Sequence, residues 1–178
     1  MTIICAAKDA ESNEIWIGSD TVSTYGPDIP WTNTGSKWIQ HHGGLCIGLS
    51  GPTRTDALLQ EFNQGAWTDP WKFCAALRAA IIEDGWEAED RTGPGRPQRF
   101  DINGLIVFGK ELWDIDGTIT PSKAEDTFVA IGAGLEYAYG AQYAIMFEDA
   151  KQRVRVALAA AINLSPSCGG KIWMEEVV

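Results

Sequence analysis

The chain has 178 residues, 45% of them hydrophobic and 21% charged, with a formal net charge of −10. Such a length suits one domain with a substantial core, and the balance is that of a soluble globular protein rather than a disordered or fibrous one. The acidic excess argues against a general nucleic-acid-binding role, and the longest near-apolar run, Val154 to Leu164, is broken by Arg155 and Asn163 and is too short to span a bilayer.

In chain order, strands come first. Residues 2–8 (TIICAAK) and 14–19 (EIWIGS) are short apolar or β-branched runs around the polar turn DAESN, the pattern of a hairpin. Residues 22–35 (VSTYGPDIPWTNTG) read as a loop rich in Gly, Pro and Thr. SKWIQ and GLCIGLSG then give a second strand pair joined across His41–Gly44.

Helical spacing follows. Pro52 and Thr53 can open a helix carrying Ala57, Leu58 and Phe62 on one face. Asp69 is placed as an N-cap with Pro70 at the first helical position, and Phe73, Leu77 and Ile81 continue the period to about Trp86. RTGPGRPQR reads as a Gly/Pro/Arg loop, expected to be solvated, with three arginines that could alternatively grip an acidic partner.

NGLIVFG and ELWDID predict a hairpin turned at Gly109–Lys110, and DTFVAIGAG a further strand. Leu135, Ala138, Ile145 and Met146 fit one amphipathic helix; Val154, Ala157, Leu158 and Ala161 fit another, stopped by SPSCGG before a closing strand KIWMEEVV. Four strands, two helices, three strands, two helices and a last strand predict a four-layer α/β sandwich, two sheets with helices on their outer faces. The whole of residues 1–178 is expected to form one domain.

The chemistry is bounded by what is scarce. Cys5, Cys46, Cys74 and Cys168 form no CxxC pair. No charged segment followed by a long apolar stretch opens the chain, so secretion is not expected, a cytoplasmic location is, and the cysteines read as reduced core thiols. His41 and His42 are the only histidines, and adjacent, which disfavours a His-rich metal site; no GxSxG elbow accompanies them. Hydrolytic chemistry here is expected to work without histidine.

TIICAAK, WIGSD, GSKWI, CIGLSG and FVAIGAG with the helical YAYGAQYA that follows it run in register along nearly the whole chain. Together they resemble the N-terminal nucleophile hydrolases of the proteasome β-subunit family, most of all the bacterial HslV peptidases and the Anbu (ancestral β-subunit) proteins. The resemblance implies an αββα sandwich and a threonine nucleophile at the mature N-terminus. A threonine hydroxyl needs a base within hydrogen-bond reach to attack an amide. A free α-amine, with a pKa of about 7.7–8.0, supplies one on the same residue. Thr2 offers both groups once Met1 is removed, and a small second residue is what methionine aminopeptidase accepts.

The same resemblance assigns Lys37 as the catalytic lysine, Asp20 as the acid that holds it, and Gly48 as the glycine whose N–H forms the oxyanion hole. It implies an extended peptide substrate added as a strand beside Thr21, with Cys46, Ser50 and Arg54 lining the pocket for the residue before the cleaved bond. It requires no cofactor or metal. It implies a homo-oligomeric ring or helical stack, with contacts from tryptophans such as Trp67, Trp71 and Trp86, and an ATP-dependent unfoldase as a possible partner.

Three departures stand out. The family often begins Thr-Thr, whereas here the gapless match puts Met1 in the nucleophile's place; matching Thr2 instead gives Asp20 and Lys37 a residue to serve. Ala133 replaces the serine of the family's GSG. The aspartate and serine near the last strand appear as SPSCGG, with Ser165 and Cys168 near their places. Two further readings therefore stay open: a catalytically inactive homologue acting as an assembly scaffold, and a small-molecule amidase on the same fold.

Overall fold

The computed structural model of the protein describes residues 2–25, 29–32, 36–40, 44–52, 54–62, 67–88 and 97–177; for residues 23–25, 29–32, Arg54, Asp56 and Phe62 it describes the backbone alone. Within these, two antiparallel sheets stack face to face. One has the order β10-β1-β2-β11, formed by β10 (Phe128–Gly132), β1 (Ile3–Lys8), β2 (Ile15–Asp20) and β11 (Ile172–Val177). The other runs β5-β6-β7-β8-β9, from β5 (Trp38–Gln40), β6 (Leu45–Ser50), β7 (Asn103–Phe108), β8 (Glu111–Ile115) and β9 (Pro121–Lys123). A separate hairpin joins β3 (Val22–Tyr25) to β4 (Ile29–Thr32).

Strand alternation sends side chains to three cores. Ile3, Cys5 and Ala7 of β1 face α3 (Leu135–Ala144) and α4 (Ala150–Leu164), packing with Phe128, Val154 and Leu158. Their alternates Ile4 and Ala6 face the second sheet, where Ile15, Ile17, Cys46, Leu105 and Val107 fill the space between the sheets. Leu45, Ile47 and Leu49 of β6 point the other way, against Leu58 of α1 (Arg54–Phe62) and Phe73 and Leu77 of α2 (Pro70–Glu83). Three cores between four layers make the expected αββα sandwich. Since a period of two allows no slip without turning every apolar side chain to the wrong face, the register is strongly specified. Truncating Ile47 or Phe73, both fully buried, to alanine is expected to cost about 2–5 kcal/mol.

Local signals explain the element ends. Asp69 caps α2 by accepting from the backbone N–H groups of Trp71 and Lys72, with Pro70 next. At the other end Gly85, at φ +70°, reverses the chain so that Trp86 N–H reaches the Ile81 carbonyl. The β7–β8 hairpin turns at Gly109–Lys110, as expected, with Gly109 at φ +59°.

Several expectations are corrected. The stretch 22–35 is not wholly loop: its β-branched and aromatic residues pair as β3 and β4. β9 was hidden by its three-residue length. α3 does not bury Leu135 or Met146, which are exposed, and Ile145 lies beyond its end; Ala138 and Gln142 face the core instead. Trp86 is buried and Trp67 packs edge-on to Phe73, leaving Trp71, with Trp173, exposed. Among the described residues no helix is long and apolar enough to cross a membrane.

Candidate active site

Thr2 immediately precedes β1, Asp20 ends the neighbouring β2, and Lys37 immediately precedes β5 on the facing sheet. The antiparallel register of β1 on β2, which pairs Ile4 with Ser19, brings the first two to the same end of the sandwich. The stacking of the sheets delivers the third. All three are buried, with exposures of 7% for Thr2, 0% for Asp20 and 8% for Lys37.

Their polar groups interlock. Lys37 Nζ donates to Thr2 Oγ1 at 2.5 Å, to Asp20 Oδ1 at 2.7 Å and to the Val22 carbonyl. Thr2 Oγ1 donates to Asp20 Oδ1 at 2.9 Å, and the same oxygen accepts from Ile3 N at 3.2 Å. Asp20 Oδ2 accepts from Gly169 N at 3.0 Å. A buried ion pair stands only when its remaining lone pairs and protons are met; here three acceptors meet the ammonium and four donors meet the carboxylate. The Thr2 hydroxyl therefore sits between a cation, which stabilises negative charge on its oxygen, and a carboxylate holding its proton.

The backbone of Thr2 is fixed from the opposite side. Its carbonyl accepts from Ala133 N at 2.8 Å. Gly132, at φ +99°, passes so close that a Cβ there would lie 2.1 Å from that same oxygen.

Solved structures share this architecture. BPH of Thiobacillus denitrificans, a bacterial proteasome homologue solved in complex with epoxomicin, superposes with a TM-score of 0.79 at 16% identity, covering 99% of this chain and 100% of that one. A second BPH structure gives 0.77 at 18% identity, over 100% and 99%. Eukaryotic HslV from Trypanosoma brucei gives 0.67 at 20% identity, over 98% of both chains. The chain has the proteasome β-subunit-like fold. No family model matches it, and no curated protein matches it significantly in sequence.

Within the proteasome-like fold the remaining predicted residues divide. Gly48 pairs with Trp38 of β5, and a Cβ at 48 would stand 2.9 Å from Ile4 Cδ1, so glycine lets β6 approach β1 across the middle core. Ser50 ends β6 half-buried, its Oγ 3.3 Å from where a Gly132 Cβ would be, and so borders the Thr2 backbone. Cys46, at 1% exposure, belongs to the core between the sheets, and burial pushes its thiol up to about 12. Arg54 opens α1, and its side chain lies outside the described residues, as do His41 and His42.

Thr21 is tied to the loop that precedes β11. Its N–H donates to the Gly169 carbonyl at 3.3 Å and its Oγ1 accepts from Lys171 N at 2.9 Å. Ser165 caps α4, and Cys168 is buried, its Sγ near the Cα of Gly134; neither side chain hydrogen-bonds to Thr2, Asp20 or Lys37. Burial raises the Cys168 thiol, with a hydrogen bond to Ser165 acting the other way. That loop reaches the site through the Gly169 backbone instead.

Gly132, Gly169 and the Val22 carbonyl are the site groups that sequence reading missed. The paired glycines of SPSCGG and the GAG after β10 were the available signals, since glycine marks close backbone approach. Among the described residues no three His, Cys, Asp or Glu side chains gather as a metal site would require.

Proposed function

We propose that the chain is a threonine-type peptidase. Once Met1 is removed, Thr2 Oγ1 attacks the scissile carbonyl carbon. The free α-amine of Thr2 takes the hydroxyl proton and returns it to the leaving amine, and water hydrolyses the ester left on Thr2. Lys37, held by Asp20, favours the neutral amine and stabilises the developing negative oxygen. The Gly48 N–H is assigned to the tetrahedral oxyanion. Ser50 borders the substrate, which lies as an extended peptide; Arg54 stays assigned to the lining of the pocket for the residue before the cleaved bond.

One observation carries this reading: a buried lysine ammonium bridges the hydroxyl of the second residue and a buried aspartate. A strand-initiating threonine has no need of such an arrangement, and a buried ion pair contributes little net stability. The proteasome-like fold and the epoxomicin complex of the Thiobacillus denitrificans homologue support the same assignment. The reading includes a cytoplasmic, self-compartmentalising homo-oligomer of a single-domain subunit, with an ATP-dependent unfoldase as a possible partner.

The test is intact mass before and after exposure to epoxomicin, a peptide epoxyketone whose trapping needs a hydroxyl and a free amine on one terminal residue. The expected result is a chain lacking Met1 that gains one adduct. A chain keeping Met1 and gaining none overturns the peptidase reading. It would favour an inactive scaffold, the role to which Ala133 and the missing carboxylate near Ser165 point.

A further inference from the structure

At the end of β1 away from Thr2, a cavity of about 140 Å³ is lined by Phe128, Tyr139, Gln142, Tyr143, Arg153 and Asp126. Arg153 is only 4% exposed. Its hydrogen bonds both leave through Nη1, to the Lys8 carbonyl at 3.3 Å and Thr127 Oγ1 at 3.0 Å, and both acceptors are neutral. Its buried Nε has no partner. Among the described residues no carboxylate lies within ion-pair distance of it. Burial lowers its pKa, while Asp9 and Asp126 act in the opposite direction through space.

A guanidinium this deep is costly unless an anion or hydrogen-bond acceptors compensate it. Nearby, Gln142 is 8% exposed and its amide has no protein partner among the described residues. The same lining carries a carboxylate, the exposed Asp126. The rest of the lining is largely apolar: Phe128 and Tyr139 meet edge-to-face at 5.3 Å, and Met146 joins them. A plain anion would satisfy Arg153 but face Asp126. A plain cation would satisfy Asp126 and leave Arg153 as it is. A small molecule carrying both charges on adjacent carbons, with an apolar body, complements every group.

We propose that this cavity binds a free α-amino acid with an aliphatic side chain, its carboxylate on Arg153 and Gln142, its ammonium on Asp126 and its side chain against Phe128, Tyr139 and Met146. None of these residues belongs to the Thr2 cluster, so the proposal stands or falls apart from the peptidase reading.

Calorimetric titration of the full-length protein with L-leucine, 4-methylpentanoate and 3-methylbutylamine tests it, the last two each lacking one charge. L-leucine is expected to bind at least about tenfold more tightly than either, the loss of one charge-assisted contact. Asp126→Asn, at an exposed position, is expected to erase the preference for leucine over 4-methylpentanoate. Arg153→Lys is expected to weaken both carboxylates. Absence of leucine binding, equal binding of leucine and 4-methylpentanoate, or an undiminished preference in Asp126→Asn would overturn the proposal. Because Asp126 is exposed, that variant keeps the test open even if Arg153→Lys fails to fold.

Discussion

Gly132 and Thr2 touch backbone to backbone: a β-carbon at 132 would fall 2.1 Å from the Thr2 carbonyl oxygen, at a φ of +99° that side chains avoid. The carbonyl it would strike is the one held by Ala133 N. Gly132→Ala must therefore distort β10 or displace Thr2. Positive-φ strain and overpacking together predict a loss of about 2–5 kcal/mol. Chemical denaturation measures the loss, and epoxomicin labelling of the folded fraction reports whether Thr2 has moved.

Lys37→Ala removes the cation from a carboxylate with no exposure. Two effects are expected together: peptide turnover falling about 10²–10⁴-fold, the usual contribution of a positioned proton-transfer group, and stability falling by about 3–5 kcal/mol from the orphaned charge. The double variant Lys37→Met with Asp20→Asn separates them, since it removes both charges. It should recover much of the stability and none of the turnover. Recovery of turnover would remove Lys37 from the mechanism.

How far the sequence reveals this site follows from how each group is presented. The alternation of TIICAAK and EIWIGS is strong because both faces of β1 are buried in different cores, and it places Thr2 and Asp20 at adjoining strand ends. Lys37 was legible only through the family resemblance, since a lysine before a strand carries no periodic signal. Gly169 and the Val22 carbonyl act through backbone atoms, which no side-chain pattern encodes. α3 misled because its buried face consists of Ala138 and Gln142 while Tyr143 and Leu135 are exposed, inverting the usual rule. Cys46 was assigned through the resemblance alone, and the pleat, which a lone cysteine does not announce, turns its side chain into the middle core.

Ala133→Ser restores a hydroxyl beside the Thr2 backbone at a position whose N–H already bonds the Thr2 carbonyl. In the peptidase reading this hydroxyl helps orient the amine, and one added hydrogen bond of about 1.4 kcal/mol in the transition state corresponds to about tenfold. Steady-state turnover of a fluorogenic peptide by the variant should rise by up to that factor with little change in KM. Unchanged kcat would show that the site orients the amine by other means.

The cysteines set an alkaline limit on stability. Burial pushes the Cys46 and Cys74 thiols up to about 12, from an ordinary 9.0, and raises Cys5 in the same direction. A raised folded-state pKa means the native chain holds these protons while the unfolded chain releases them. Their contribution is fully present below pH 9 and is lost as pH rises from there towards 12, by up to about 1.4 kcal/mol per thiol per pH unit. Urea midpoints measured between pH 8 and 10.5 should therefore fall, and Cys46→Ser with Cys74→Ala should flatten the fall while lowering stability at pH 8. The same burial keeps the thiolate fraction of the native protein negligible near neutrality, so iodoacetamide should label Cys46 and Cys74 only as fast as the chain unfolds. Labelling of either thiol at the rate of a free cysteine in the native state would contradict the closed core between and beneath the sheets.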